Sequence, residues 1–83
     1  MEDVDLHLEE AEQSLDEGDP EGALEAAQTA IKLWPECAEA WYLKGMALFD
    51  LERPEEGRAA VERSLACDPQ FSPAAFVLAD AKL

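Results

Sequence analysis

The side chains that could do chemistry in this sequence are few and widely spaced. Histidine occurs once, as His7, and cysteine twice, as Cys37 and Cys67. The two cysteines stand at no short spacing from each other or from His7, unlike the ligands of a zinc site or the pair of a redox motif. We therefore expect no metal ion and no cofactor, and we expect both cysteines to be reduced packing residues.

Carboxylates are the most abundant reactive groups, but their spacing does not favour catalysis. Glu9 and Glu10 are neighbours in the sequence, as are Glu55 and Glu56. Adjacent residues of a helix point in different directions, so neither pair can work as acid and base on one substrate. Neither a glycine-rich phosphate loop nor a nucleophile motif occurs. The sequence therefore predicts that the chain is not an enzyme.

The charge of the chain is strongly negative. Its 83 residues contain 20 Asp and Glu against 6 Lys and Arg, which gives a formal net charge of -14. Such a charge repels the phosphates of nucleic acids and the anionic surface of a membrane, so we expect neither as a partner. No lysine or arginine precedes Lys32. Two interpretations of this acidic half remain open: a solvated surface, or a surface that attracts a basic partner.

The composition predicts one folded domain over residues 1–83. Hydrophobic residues make up 48% of the chain and charged residues 31%, a balance that suits amphipathic helices and is too apolar for a disordered tail. The first residues are acidic, unlike those of a signal peptide, and no apolar stretch has the length of a membrane span. We therefore expect a cytoplasmic protein.

The chain repeats itself with a period of 34 residues. A shift by this distance places Pro20 over Pro54 and Pro35 over Pro69. The same shift also matches Asp16 with Asp50, Glu21 with Glu55 and Ala26 with Ala60. Two prolines in the same phase indicate a repeated unit of structure.

Each unit is predicted to form two helices, because apolar residues recur three and four apart on both sides of a polar turn. In the first unit the helices cover residues 4–17 and 20–34, with Gly18 closing the first helix and Asp19 capping the second. The second unit predicts helices at 38–51 and 54–67. Ser72 and Pro73 then predict a fifth helix that continues to the end of the chain. The predicted fold class is all-α, with about five helices.

Small residues, an aromatic residue and prolines recur at set positions of the two units. The second unit has Trp41, Gly45, Leu48, Gly57, Val61, Ser64 and Pro69. The first unit has Ala11, Gly18-Asp19-Pro20, Ala23, Ala27, Ala30 and Pro35. This pattern resembles the tetratricopeptide repeat (TPR) family. Three residues depart from its signature, since Lys44, Glu52 and His7 replace a leucine, the turn glycine and the tryptophan.

The resemblance implies a helix-turn-helix solenoid of two repeats, at about 4–37 and 38–71, and a closing half repeat at 72–83. Small residues let paired helices approach closely, while Trp41 fills the gap between them. The first helices of successive repeats then line a concave groove. The groove positions carried over from the family are Leu8, Glu9, Glu12, Leu15, Asp16, Tyr42, Leu43, Met46, Phe49, Asp50, Phe76, Val77 and Asp80.

An apolar stripe crosses this predicted groove. Spacings of four and three place Tyr42, Met46 and Phe49 on one helix face. The stripe either binds a ligand or covers the closing helix, and both interpretations remain open. Carboxylates surround it, which would attract a basic or amphipathic segment. Trp34, just before Pro35, either packs over the junction between the two repeats or is exposed on the rim as a contact, and its large apolar area favours packing.

The predicted function is therefore protein–protein interaction, with a peptide or a partner protein bound in the groove. The alternative is a structural role in self-association or assembly. In that case the closing helix, through Phe76 and Leu83, would form a homodimer or join a longer array of repeats.

Overall fold

The computed structural model describes residues 3–71, which form four α-helices joined by short turns. The helices are α1 (Val4–Asp16), α2 (Pro20–Leu33), α3 (Ala38–Asp50) and α4 (Pro54–Cys67). They confirm the four helices predicted in this range, with each end displaced by at most one residue. The predicted fifth helix and the half repeat at 72–83 lie outside the described residues. None of the described helices has the length and apolar character that crossing a membrane requires.

The turn between α1 and α2 is built from residues whose backbone preferences fit it. Gly18 has φ +78°, a left-handed conformation that glycine adopts without a steric cost. The carboxylate of Asp19 accepts a hydrogen bond from the amide of Gly22 at 3.1 Å and caps α2. Pro20 begins the helix, where its missing N–H leaves no hydrogen bond unmade.

The turn between α3 and α4 has a similar backbone but less suitable residues. Glu52 takes the place of Gly18 and has φ +63°, a conformation that costs a residue with a Cβ atom about 1–2 kcal/mol. Arg53 stands where Asp19 stands in the first unit, and its side chain makes no capping hydrogen bond. The second helix pair therefore folds against a local cost at this turn.

Glu52→Gly is expected to raise the free energy of unfolding by about 0.5–1 kcal/mol. The substitution removes the left-handed strain, and the greater backbone freedom of glycine in the unfolded chain offsets part of the gain. Urea denaturation followed by circular dichroism measures the change. Glu17→Gly is the matched control, because Glu17 ends α1 at an ordinary φ of -84°. A similar gain in stability for both variants would contradict the strain argument.

α3 is the central helix of the described fold. It packs against α2 and against α4, while α1 packs against α2 and α3. A Cβ atom built on Gly45 would lie 2.8 Å from the carbonyl oxygen of Gly57, which shows how closely α3 and α4 approach. At the equivalent contact of the first unit, Ala11 and Ala23 are fully buried. Each helix pair therefore packs through its smallest residues.

The core consists mainly of alanine side chains, joined by a few larger residues. The larger buried apolar residues are Leu8, Leu43, Leu48 and Val61. The buried hydroxyl of Ser64 donates a hydrogen bond to the carbonyl oxygen of Ala38 at 2.7 Å, which ties α4 to the start of α3. Within residues 3–71, every buried side-chain nitrogen or oxygen has a hydrogen-bond partner.

The two tryptophans lie in different environments. Trp41 is partly buried, and its indole N–H donates a hydrogen bond to the carbonyl oxygen of Pro35 at 2.8 Å. Trp34 was predicted to pack over the junction between repeats, yet 51% of it is exposed. Packing, the favoured of the two alternatives, therefore covers only about half of this side chain, and the other half is exposed. α2 ends at Leu33, and the extended backbone of Trp34, with φ -147°, takes it out of the helix.

Candidate partner-binding surface

Two hollows lie next to each other on the surface formed by α1 and α3. The first, which we name the α1–α3 hollow, has a volume of about 370 Å³. Each helix presents one face to it, because side chains three and four residues apart lie above one another. Packing of α1 against α3 brings the two faces together. The lining consists of six residues predicted to form the groove, which are Glu12, Leu15, Asp16, Tyr42, Leu43 and Met46.

Two of the predicted groove residues belong to the core. Leu8 and Leu43 keep 5% and 3% of their surface exposed, and both lie in one buried cluster with Ala11 and Ala27. A partner on the surface would reach little of either side chain. Both side chains support the two hollows from beneath, and their predicted contact with a partner stays a prediction.

The apolar stripe of α3 is partly covered by its own neighbours. The ring of Tyr42 lies 5.5 Å from the ring of Phe71, at an angle of 59°. The ring of Phe49 packs towards α4, where a Cβ atom built on Gly57 would meet it at 3.1 Å. Met46 lines the α1–α3 hollow together with Tyr42. Tyr42 and Met46 are therefore the stripe residues that reach the hollow.

The remaining predicted groove residues divide into two groups. Glu9 and Asp50 are exposed on α1 and α3, outside the lining of either hollow on this surface. Phe76, Val77 and Asp80 lie outside the described residues, so their place in the groove stays a prediction.

The second hollow, which we name the Trp34 hollow, has a volume of about 390 Å³ and lies beside the start of α3. The ring pair of Tyr42 with Phe71 joins it to the first, and the carboxyl group of Glu39 in its lining is close enough to that of Glu12 in the first for the two to interact. Its lining residues are Asp5, Leu8, Trp34, Glu36, Cys37, Ala38, Glu39, Cys67, Asp68 and Phe71.

Sequence reasoning missed the Trp34 hollow. Glu39 lies 34 residues after Asp5, so the repeat period that related the other groove positions also related these two acids. No comparable signal indicated that Trp34 is exposed, because its position follows from how the chain leaves α2.

Both hollows are acidic. Their linings hold six carboxylates together, and no described residue that lines them is a lysine, an arginine or a histidine. Partial burial raises the pKa of the Glu39 carboxyl, and the interaction with the carboxyl group of Glu12 and the negative charge of Asp5 raise it further. These acids therefore repel one another until a cation comes between them.

Cys37 lies in the lining of the Trp34 hollow, and His7 lies on α1. Burial raises the pKa of the Cys37 thiol, which keeps it in the less reactive protonated form. His7 places its Nδ1 atom 3.7 Å from a carboxylate oxygen of Glu10. In the part of the chain that the structure describes, no three potential metal ligands lie close enough to hold an ion. The surface is therefore suited to binding by charge and apolar contact.

Comparison with known proteins places both helix pairs in one family. A family model described as Tetratricopeptide repeat matches residues 8–70, which span most of α1 and all of α2, α3 and α4. No curated protein gives a significant match to the chain.

Proposed function

Because this chain belongs to the tetratricopeptide repeat family, whose repeats generally mediate protein–protein interactions, we propose that it binds a peptide segment of a partner protein across the α1–α3 hollow and the Trp34 hollow. The observation that carries the proposal is the lining of these joined hollows, which combines six carboxylates with aromatic side chains. The family is typically a non-enzymatic interaction module. Binding, and not catalysis, is the function we infer.

The charges of the surface favour a basic segment. A lysine or arginine of the partner that sits between Glu12 and Glu39 would gain attraction from both carboxylates. It would also relieve the repulsion that contributes to the raised pKa of Glu39. An acidic segment would add to that repulsion, so the surface discriminates against it.

Apolar side chains of the partner complete the proposed contact. Trp34 supplies a large, half-exposed ring at one end of the surface. Met46, at the other end, has a flexible thioether that adapts its shape to a ligand. Aromatic residues and methionine are enriched at the centres of protein interfaces. The proposed ligand is therefore an amphipathic segment with cations on one side and apolar residues on the other.

An amphipathic peptide built from lysine and leucine is expected to bind the chain, and the same peptide with glutamate for lysine is not, as measured by fluorescence anisotropy. Glu12→Gln/Glu39→Gln is expected to weaken binding about tenfold, because two partly exposed charge pairs are lost. Glu21→Gln/Glu25→Gln is the control. It removes the same charge from exposed positions of α2 outside both hollows, and we expect a change below about twofold.

The pH dependence of binding provides a second readout. As pH falls, Glu39 takes up its proton before an ordinary glutamate does, because its pKa is raised. Binding of the basic peptide should therefore begin to weaken above the usual glutamate range, and this early loss should be absent in Glu12→Gln/Glu39→Gln. If both double variants lose affinity equally, the basic peptide is attracted by the net charge of the chain alone. That result would contradict the proposed site.

Self-association is the second candidate function. Among residues 3–71, three large apolar side chains are exposed: Leu6 at 51%, Leu33 at 42% and Trp34 at 51%. A second copy of the chain could cover this area. Light scattering at low and high salt separates the two functions. A monomer at both salt concentrations leaves the acidic surface free for a peptide. A dimer that persists at high salt and prevents binding of the basic peptide would show that assembly is the function.

A further inference from the structure

A cleft between α2 and α4 forms a third hollow, on the other side of α3. Trp41, Lys44 and Leu48 line it, and their spacing places them on the helix face opposite Tyr42 and Met46. The volume of the cleft is about 510 Å³, larger than that of either acidic hollow. It shares no lining residue with them, so it is a separate surface.

Cations concentrate in this α2–α4 cleft. Lys44, Arg53 and Arg63 line it, three of the 6 Lys and Arg in a chain whose formal net charge is -14. Among the described residues of the lining, Glu56 carries the one carboxylate, and it lies 3.8 Å from the guanidinium of Arg53. Lys44 and Arg63 form no ion pair within residues 3–71. Among the described residues, two positive charges are thus left without a carboxylate in a strongly acidic protein.

The ring of Trp41 holds these two charges near each other. The Nζ atom of Lys44 lies 5.0 Å from the ring centroid, and the guanidinium carbon of Arg63 lies 5.6 Å from it. Both distances are within the range of cation–π attraction. The hydrogen bond from the indole N–H to Pro35 fixes the ring itself. Two like charges at one ring repel each other, and a bound anion would remove that cost.

Apolar surface lies next to the cations. Leu24 of α2 and the exposed Ala59 of α4 form this surface, above the buried side chains of Leu48 and Ala60. A small inorganic anion would use the charges but leave this apolar surface in water. A peptide segment with a carboxylate beside an apolar side chain would use both, as ligands of concave apolar sites with a few polar groups do.

We propose that the α2–α4 cleft binds an acidic segment of a partner polypeptide, with a carboxylate against Lys44 and Arg63 and a neighbouring apolar side chain on Leu24 and Ala59. The net negative charge of the chain opposes such a ligand weakly, because charges more than about 8 Å away are screened at physiological salt. The inference is independent of the proposed function at the acidic hollows. A module with both surfaces would join two partners of opposite charge.

Two-dimensional NMR of the ¹⁵N-labelled chain tests this site. The capped peptide Glu-Leu-Glu-Leu-Glu is expected to shift the indole N–H signal of Trp41 in a saturable manner, and capped Lys-Leu-Lys-Leu-Lys is not. Lys44→Gln/Arg63→Gln is expected to lower the affinity about tenfold. Lys32→Gln/Arg58→Gln removes the same charge from exposed positions outside the cleft, and we expect it to change the affinity by less than about twofold.

Circular dichroism melts establish whether the variants are folded. If Lys44→Gln/Arg63→Gln is unfolded, Arg63→Gln alone takes its place, since Arg63 is exposed on α4. We expect this single variant to lose about threefold in affinity for the acidic peptide.

Several results would overturn the proposal. If the Trp41 signal shows no saturable shift, or if the two double variants lose equal affinity for the acidic peptide, the cleft is not a binding site for it. Inorganic phosphate that binds as tightly as the acidic peptide would assign the cleft to a small anion. A dimer that Lys44→Gln/Arg63→Gln dissociates would assign it to a second copy of the chain. Each of these results leaves the binding of a basic peptide at the acidic hollows untouched.

Discussion

Gly45→Ala is expected to lower the free energy of unfolding by about 2 kcal/mol, although alanine is the better helix former. A Cβ atom at this position would lie 2.5 Å from Cγ2 of Val61 and 2.8 Å from the carbonyl oxygen of Gly57. The oxygen belongs to the backbone of α4, so the two helices must separate to admit the new atom. Overpacking of this kind costs about 1–3 kcal/mol. Urea denaturation followed by circular dichroism measures the loss.

Two further variants test the reason for that loss. Gly22→Ala is the control, because a Cβ atom there would meet side-chain and not backbone atoms, those of Asp19 and Ser14. Turning Asp19 away weakens its cap on α2, and the better helix propensity of alanine offsets that loss, so we expect a change below about 1 kcal/mol. Combining Gly45→Ala with Val61→Ala removes the side-chain part of the clash. The double variant should therefore lose less unfolding free energy than the sum of the losses in the two single variants. Equal losses for Gly45→Ala and Gly22→Ala would contradict the close helix contact.

The contact at Gly45 also matters for binding, because α3 contributes to both proposed surfaces. Tyr42 and Met46 line the acidic hollow on one side of the helix. Trp41 and Lys44 line the basic cleft on the other side. A shift of α3 away from α4 would therefore change both surfaces together.

Leu43→Ala is expected to lower the free energy of unfolding by about 3 kcal/mol. Leu43 is 3% exposed and belongs to the buried cluster between α1 and α3. Truncation of a buried leucine removes apolar burial and leaves a cavity, which together cost about 2–5 kcal/mol. Urea denaturation measures this loss as well. Met46→Ala is the comparison, because Met46 is partly exposed one helical turn away, and we expect a loss near 1 kcal/mol.

The same two variants distinguish a residue that supports the surface from beneath from one that contacts the basic peptide. Below the unfolding temperature of Leu43→Ala, we expect this variant to keep most of its affinity, because the side chain lies beneath the hollow. Met46→Ala is expected to lose about fivefold, since Met46 offers its thioether to the ligand. The reverse order of stability losses, or of affinity losses, would contradict the roles assigned to these two residues.

The helix bounds could be predicted because local residues impose them. Pro20 and Pro54 begin helices, Gly18 ends one in a left-handed conformation, and Asp19 provides a cap. Each of these preferences acts within a few residues of the chain. The 34-residue period then made it possible to transfer the assignments from one unit to the other. Glu52 departs from the pattern and still adopts the turn, because packing of α3 against α4 outweighs the local cost.

The binding surface could be predicted in part. Helix periodicity grouped Tyr42 with Met46, and the family resemblance added Glu12 from another helix; all three line the α1–α3 hollow. It could not show that Leu43 is buried, because a residue next to Tyr42 lies about 100° further round the helix and its burial depends on where the neighbouring helix lies. The exposure of Trp34 depends in the same way on the path of the chain after α2.

From the sequence alone one can derive the helices, the repeat period, the family and the excess of acids, because these follow from local backbone preferences, residue spacing and composition. Only the tertiary structure decides which side chains stay accessible and which charges meet. Lys44 and Arg63 are on different helices, yet the packing of α3 against α4 brings both to the ring of Trp41. Contacts between helices are set by distances in space, and a one-dimensional pattern does not contain those distances.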